Sequence, residues 1–254
     1  ILAQLECRPD DVVLEVGAGL GVLTHALAGV ARHVHAFEVD RSLAAPLGAT
    51  LGEGTNVSLH FEDVLRAPLE TLDPPPSLCA SNLPYSVAGP FLIEALQRLP
   101  AVRRYCVMVQ REVAERIAAS PGGKTYGALS VWVQMYARIG KVRALSRSIF
   151  YPQPNVDSSL VTFDRLPPDE QPPLAPAQLA RVIQAAFSQR RKTLANSLAA
   201  GLGISRTGAA ALVAAAGLPA DVRAERVTPV TFVRLTQLAG AAAALDVRAV
   251  RGVE

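Results

Sequence analysis

Residues 12–16, Val-Val-Leu-Glu-Val, form a nearly unbroken apolar and β-branched run, the pattern of a strand buried on both faces of a parallel sheet. Apolar runs recur at 33–39, 57–61, 78–80 and 105–109, and between them 22–28, 41–51 and 87–96 carry apolar residues at helical spacing. Strands and helices alternating at this pitch predict an α/β doubly wound sheet, whose ligands bind beyond the carboxyl ends of the strands. Farther along, 129–136 reads as a helix and 142–146 and 159–163 as strands, joined by a loop that Pro152 and Pro154 keep out of any regular helix. The stretch 166–173 is proline-dense and polar, a linker. Beyond it, alanine-rich segments at 176–187, 192–200, 205–215 and 229–241 have helical periodicity. Ser205 and Thr228 suit N-caps, and Pro229 suits a first helical position. The pattern divides the chain into a sheet domain over 1–165 and a small helical domain over 174–245.

Composition narrows the class. Half of the 254 residues are apolar and 19% are charged, which suits a folded core rather than disorder. No run approaches the ~18 consecutive apolar residues of a membrane span. Cys7, Cys79 and Cys106 are odd in number, far apart and without Cys-x-x-Cys spacing; they point to a reducing compartment and to neither a disulfide framework nor a zinc site. His33-Val34-His35 alternates along a strand and has two readings, a metal-ligand pair or a solvated strand face. With no carboxylate or thiol pattern beside it, the solvated face is the expectation. Charge is uneven: residues 1–97 carry 4 Lys/Arg against 12 Asp/Glu, whereas 98–147 carry 10 against 2. An acidic stretch followed by a basic one suggests a small-molecule site beside a polyanion-binding surface.

The polar residues with chemical potential fall at predicted strand ends. Gly17-Ala18-Gly19-Leu20-Gly21 follows the first strand, where glycines allow a tight turn and close approach of backbone to ligand. The spacing is G-x-G-x-G, with Val22 in the third slot of the dinucleotide fingerprint G-x-G-x-x-G, which disfavours NAD. Glu38, ending the second strand, can accept from both hydroxyls of a ribose. Asp63, after the third, can accept from an adenine amino group. Each of these carboxylates is otherwise an ordinary residue at the start of a helix. Their placement at successive strand ends favours a nucleoside. After the fourth strand comes Ser81-Asn82-Leu83-Pro84-Tyr85: an amide, a rigid ring and an aromatic, suited to hold a flat nitrogen-bearing substrate, or else a plain strand-to-helix turn.

Asn82-Leu83-Pro84-Tyr85 resembles the Asn-Pro-Pro-Tyr-type motif of enzymes that methylate exocyclic amino nitrogens, in the form found in ribosomal RNA adenine N6-dimethyltransferases. Gln110-Arg111-Glu112-Val113-Ala114, Tyr126-Gly127-Ala128-Leu129-Ser130-Val131, the segment from Phe150 to Ser158, and Ala186-Phe187-Ser188-Gln189-Arg190-Arg191-Lys192-Thr193-Leu194 extend the resemblance over nearly the whole chain. The last is similar to the small-subunit (16S) rRNA dimethyladenosine transferase branch. The resemblance implies a Rossmann-like methyltransferase sheet with a small C-terminal helical domain. It further implies S-adenosylmethionine as cofactor without a metal, and two adjacent adenosines near the 3' end of small-subunit rRNA as substrate during ribosome assembly. The expected partner is the small ribosomal subunit with its 16S rRNA, met by a cytoplasmic monomer with no membrane association. Rival readings are a nicotinamide-dependent oxidoreductase, a large-subunit rRNA methyltransferase conferring macrolide resistance, and a non-catalytic assembly factor on the same fold.

Carried onto this sequence, the resemblance assigns Gly17, Gly19, Glu38, Asp63 and Asn82 to the cofactor. Asn82 and the Leu83 carbonyl would accept from the target amino group, Pro84 would fix the loop, and Tyr85 would stack on the base. Phe150 is either the opposite face of that sandwich or a core aromatic. Arg190, Arg191 and Lys192 are either phosphate contacts or a helix-end charge cluster. Two departures stand out. Ser81 occupies a position where the family usually has Gly. The family's Gly-Gln-Asn-Phe-Leu-like stretch upstream of the first strand is not in this chain, which opens on Ile1 rather than Met; the expectation is a chain truncated or disordered there, its cofactor incompletely enclosed.

Overall fold

The structure, a computed structural model, describes residues 1–52, 54–84, 87–150 and 153–251, with side chains as far as Ala241. Contacts divide the chain into two compact units, Ile1–Ala118 with Tyr136–Pro168, and Ala119–Met135 with Asp169–Glu254. Residues 119–135, read from sequence as part of a continuous first domain, therefore group with the helical unit. Two long-range bonds tie them there: the Gly122 N–H donates to the Glu225 carbonyl (2.6 Å) and the Tyr126 hydroxyl to the Val227 carbonyl (2.9 Å).

The first unit holds seven strands, β1 (Val12–Val16), β2 (His33–Phe37), β3 (Val57–His60), β4 (Leu78–Asn82), β5 (Arg104–Gln110), β6 (Ala137–Leu145) and β7 (Ser158–Arg165), in the order β3-β2-β1-β4-β5-β7-β6. The five from β3 to β5 are parallel, and β7 runs antiparallel to both its neighbours. Helices α1 (Leu2–Leu5), α2 (Val22–Ala28), α3 (Ala44–Leu51), α4 (Ala88–Arg98) and α5 (Arg111–Ile117) belong to this unit, and α6 (Ala128–Tyr136) straddles the boundary. Every residue of β1 is buried, as its continuous apolar run requires. The helix expected over 41–51 is broken into a 3-10 turn at Arg41–Leu43 followed by α3, and α5 carried too little apolar periodicity to be read from sequence.

The sheet is locked at the amino end of β1 and opens at its carboxyl end. Asp11, 5% exposed, receives the Arg103 guanidinium (2.5 and 2.9 Å), the Ser77 hydroxyl (2.8 Å) and the Arg8 N–H (2.8 Å). These partners, Arg103 foremost, hold its carboxyl down at about 2. At the other end the β1–β4 ladder stops at Leu14↔Cys79, while β4 stays paired with β5 as far as Asn82↔Met108. β1 and β4 are where the direction of strand connection reverses, so their parting forms the crevice in which doubly wound sheets bind ligands.

The expectation of a solvated face for His33 and His35 is overturned. β2 is an interior strand; His35 is 2% exposed, and its Nε2 reaches the Pro74 carbonyl (2.9 Å) while Nδ1 lies 3.2 Å from His60 Nε2. A carbonyl can only accept, so His35 donates through Nε2. His33 bonds Ser58 (3.0 Å), and burial pulls both His33 and His60 below the ordinary histidine range. The segment alternates as a strand should, but a loop covers the face it presents.

Arg165, the last residue of β7, closes the end of α4. Its guanidinium donates to the carbonyls of Val102 (2.8 Å), Leu96 (3.0 Å) and Leu99 (2.9 Å) and to the Tyr105 hydroxyl (3.1 Å), which itself donates to the Ala95 carbonyl (3.2 Å). Terminal carbonyls of a helix have no partner within it, and a cation there also suits the helix dipole. Tyr105 stacks on Phe163 beneath this network, ring centroids 4.7 Å apart.

In the second unit, α7 (Pro176–Phe187), α8 (Leu194–Leu202), α9 (Arg206–Ala215) and α10 (Pro229–Arg251) follow the expected periodicity. Ser205 and Thr228 accept the Gly208 (3.0 Å) and Thr231 (3.2 Å) N–H groups, as N-caps do. Gly201 sits where a Cβ would lie 2.5 Å from Ala185, so α7 and α8 approach as closely as two small residues allow. Among the described residues no helix is long and apolar enough to cross a membrane.

Replacing Arg165 by Ala strands the Val102, Leu96 and Leu99 carbonyls, each costing about 1–3 kcal/mol when left buried and unpaired. The expected loss is roughly 2–4 kcal/mol of unfolding free energy by urea titration, while Arg165→Lys recovers part of it.

Candidate active site

The crevice is built by four strand ends. After β1 the chain turns through Gly17, Gly19 and Gly21, whose φ values of +79°, +57° and +82° favour glycine. The N–H groups of Gly17 (2.8 Å) and Ala18 (3.1 Å) donate to the Phe37 carbonyl, tying the loop to the end of β2. Gly17 is also cramped: a Cβ there would lie 3.2 Å from both the Asn82 carbonyl oxygen and Pro84 Cδ. The glycine loop and the Asn82–Pro84 segment are therefore in direct contact, which their separation in sequence did not reveal.

Glu38 follows β2, half-buried. Its Oε2 accepts the Gly19 N–H and its Oε1 the Asp40 N–H, both at 2.9 Å. Each carboxylate oxygen has a second acceptor site, so the two remain able to receive a pair of ribose hydroxyls. Asp63 lies three residues beyond β3; Oδ1 accepts the Leu65 N–H (3.0 Å) and Oδ2 faces Arg66 at 3.7 Å. It caps its own turn, as an ordinary residue at a helix start does, and keeps acceptor capacity for an amino group.

Asn82 is the last residue of β4: its backbone is held in register with Met108 while the residue is exposed. Leu83 is 1% exposed, and its N–H donates to the Met108 carbonyl (3.0 Å). The Pro84 carbonyl then accepts the Val87 (3.0 Å) and Ala88 (3.1 Å) N–H groups, starting α4. A buried leucine, a rigid proline and the sheet ladder thus fix the backbone from which the Asn82 side chain projects. Tyr85 lies outside the described residues. Phe150 is half-buried on the β6–β7 connection, at the carboxyl end of the parallel strands. Arg190, Arg191 and Lys192 are exposed in the turn between α7 and α8. Arg190 and Arg191 line a cleft of about 330 Å³ with Lys124, a cation contributed by the 119–135 segment.

Two features of the crevice were not foreseen from sequence: the bridging bond of Ser81, noted there only as a departure from the family pattern, and the state of Glu15. Ser81, fully buried, accepts the Val16 N–H through its hydroxyl (2.9 Å), bridging β1 and β4 where their ladder has ended. Glu15 is 1% exposed and its Oε2 has no hydrogen-bond partner among the described residues. Burial pushes its carboxyl up to about 7; the Thr24 hydroxyl opposes that rise and the Glu38 carboxylate adds to it. The signal was present: a carboxylate inside a continuous apolar strand is costly and rarely placed without function.

A glycine loop, an acid on the next strand and an amide-proline turn across the crevice, on a sheet ordered 3-2-1-4-5-7-6, define a Rossmann-like methyltransferase. The chain belongs to the ribosomal RNA adenine dimethylase family, whose sequence profile matches residues 1–235. It is 41% identical over 242 residues to the ribosomal RNA small subunit methyltransferase A of Streptomyces coelicolor, covering 93% of this chain and 84% of that one. A dimethyladenosine transferase from Plasmodium falciparum has the same fold, with a TM-score of 0.76 at 22% identity, covering 92% of this chain and 91% of that one. The 23S rRNA methyltransferase ErmE superposes with a TM-score of 0.63 at 26% identity, covering 93% of each.

The raised Glu15 carboxyl carries a pH signature. In the unfolded chain it ionises near 4.5, in the folded one near 7, so its burial is tolerated fully below about 4.5 and opposes folding increasingly up to about 7. Glu15→Gln should remove that slope, making the ligand-free protein more stable than wild type at pH 8 by at most about 3 kcal/mol and not at pH 4. Parallel denaturation curves for the two proteins across this range would refute the assignment.

Proposed function

We infer that this protein transfers methyl groups from S-adenosylmethionine to N6 of two adjacent adenosines near the 3' end of small-subunit rRNA, during assembly of the small ribosomal subunit. The observation that carries the reading is the close approach of Gly17 to the Asn82 carbonyl and the Pro84 ring, which sets the glycine loop against the Asn82–Pro84 segment, in a chain of the rRNA adenine dimethylase family. The first unit would perform the transfer and the second would bind RNA, as a cytoplasmic monomer.

The residues present fit the cofactor. Gly17 and Gly19 give backbone room, Glu38 keeps acceptor sites for ribose hydroxyls, and Asp63 keeps capacity for the adenine amino group. When bound, the cofactor supplies an electrophilic methyl group on a sulfonium. The chain's part is to deliver the amine. An adenine amino nitrogen is a poor nucleophile because its lone pair is delocalised into the ring. Asn82 Oδ1 and the Leu83 carbonyl can accept its two hydrogens, aligning the nitrogen and drawing its lone pair out of conjugation. Pro84 holds this pair of acceptors steady. Tyr85 and Phe150 would sandwich the base, offsetting part of the unstacking required for it to leave its helix. No strong base is needed beforehand, because the amine sheds its proton readily once alkylated.

Arg190, Arg191 and Lys192 carry no base-reading geometry, and phosphate contact suits them. Lys124 beside them extends the patch.

Asn82→Ala should lower methyl transfer to unmodified small subunits by at least ~10²-fold while leaving thermal stability and subunit affinity close to wild type. Modified nucleotides mapped by mass spectrometry provide the readout, and wild-type rates in the variant would remove Asn82 from the mechanism. Replacing Arg190, Arg191 and Lys192 together by Gln should weaken subunit binding and flatten the slope of log affinity against log salt by roughly 2–3; an unchanged slope would rule out phosphate contact.

A further inference from the structure

A cleft of about 570 Å³ opens beside the Asn82 segment, and nothing in the transfer step accounts for it. It lies at the carboxyl end of β5, between the start of α5 and the β6–β7 connection, and its walls include Gln110, Arg111, Arg147, Asn155, Val156 and Asp157. Its position is fixed by the sheet: Asn82 is in register with Met108, and Gln110 stands two residues farther along the same strand, paired with Ser158. With a strand spacing of ~4.8 Å and a rise of ~3.3 Å per residue, Gln110 is roughly 8 Å from Asn82. The Arg111 N–H donates to the Asp157 carbonyl (3.0 Å), fastening one wall of the cleft to the other.

The chemistry of the lining is selective. The carboxylates are engaged: Glu115 receives Arg111 Nε (3.0 Å), Glu112 receives Arg116, and Asp157 Oδ1 receives the Arg147 N–H (3.2 Å). The Arg147 guanidinium is not paired with any of them; it donates only to the Asn155 carbonyl at 3.3 Å, among the described residues. The Gln110 side chain makes no hydrogen bond among the described residues, although it occupies the N-cap position of α5. Val156 on the cleft wall and Ile149 on the same connection are 40% and 65% exposed, an apolar surface on which a base can rest. An unbonded amide, a guanidinium that pairs with no carboxylate among the described residues and an apolar ledge, one nucleotide's reach from Asn82, suit the reading of single-stranded RNA.

We propose that this cleft holds the nucleotide adjacent to the target adenosine, with Gln110 reading the edge of its base and Arg147 contacting its phosphate. An amide pairs bidentately with adenine, accepting from N6 and donating to N7 or N1. The cleft is therefore a selector for a second adenine beside the first. This rests on the reading of the protein as an rRNA adenosine methyltransferase, and it adds that one adenosine of the pair helps position the other.

The test is a cycle of enzyme and RNA substitutions with full-length protein and unmodified small ribosomal subunits. The adenosine beside the target is replaced by a pyrimidine, and the first methyl transfer to the remaining target is followed by mass spectrometry. Wild type should lose about tenfold in kcat/KM on the altered subunit. Gln110→Ala should lose a similar amount on the native subunit and little more on the altered one. Gln110→Glu, of the same shape but lacking the amide donors, should behave likewise, guarding against disturbance of α5 by alanine. Arg147→Ala should raise KM with kcat unchanged and reduce the salt slope by about one phosphate contact. Losses that multiply in the Gln110 cycle, or an Arg147→Ala variant with wild-type KM and salt slope, overturn the proposal while wild-type methylation still stands. Absence of any methylation by wild type overturns the functional reading and this inference with it.

Discussion

Gly17 lies so close to Asn82 and Pro84 that a single added carbon would stand 3.2 Å from each. That spacing joins the two halves of the site. On one side the glycine loop is tethered to β2 through the Phe37 carbonyl and to Glu38 through the Gly19 N–H. On the other, the Asn82 segment is tethered to β5 through Met108. Between them β1 and β4 have ceased to pair, and the Ser81 hydroxyl takes the N–H that the missing ladder leaves unsatisfied. A glycine at 81 could not do this, so the departure from the family's usual residue has a structural consequence: the parting strands are pinned without closing the crevice.

The electrostatics rearrange when the chain folds. The basic stretch 98–147 looked like a polyanion-binding surface beside an acidic half, yet its first three cations pair with that half. Arg98 pairs with Glu70, Arg103 with Asp11, and Arg104 with Glu6 as well as Asp164. These pairs brace the sheet: the buried Asp11 gathers a guanidinium, a hydroxyl and a backbone N–H at the amino end of β1. The cations that pair with no carboxylate among the described residues include Lys124, Lys141, Arg143 and Arg147. Lys141 and Arg143 lie on β6, the edge strand, where charged side chains discourage pairing with another sheet.

On the proposed reading, substrate selection and chemistry divide among neighbouring elements. β4 ends in the amide that would hold the amine, β5 runs one turn of pleat farther to Gln110, and the β6–β7 connection supplies Phe150 and Arg147. All three meet at the carboxyl end of the parallel strands because β7 enters there antiparallel, placing Ser158 opposite Gln110. An all-parallel sheet would have brought β7 in from the other end.

Local pattern alone determined the strand-helix alternation, the helical C-terminal segments with their caps, and the strand-end positions of Gly17, Glu38 and Asn82. Burial and backbone conformation act over a few residues, so they are written in spacing. The resemblance of Asn82-Leu83-Pro84-Tyr85 and the later segments then named the chemistry. What only the tertiary structure decided were quantities set by distant residues meeting. His35 has the alternation of a half-exposed strand but is enclosed by the loop carrying Pro74. Residues 119–135 carry no local mark of belonging with 169–254, and are claimed by hydrogen bonds to Glu225 and Val227. The basic window was a property of sequence order, and pairing of Arg98, Arg103 and Arg104 with distant carboxylates removed part of it. Glu15 showed itself as a charge in an apolar strand, but its raised carboxyl depends on burial from both sides and on Glu38 nearby. Periodicity reports which way a residue faces; what stands in front of it is decided by chain closure in three dimensions.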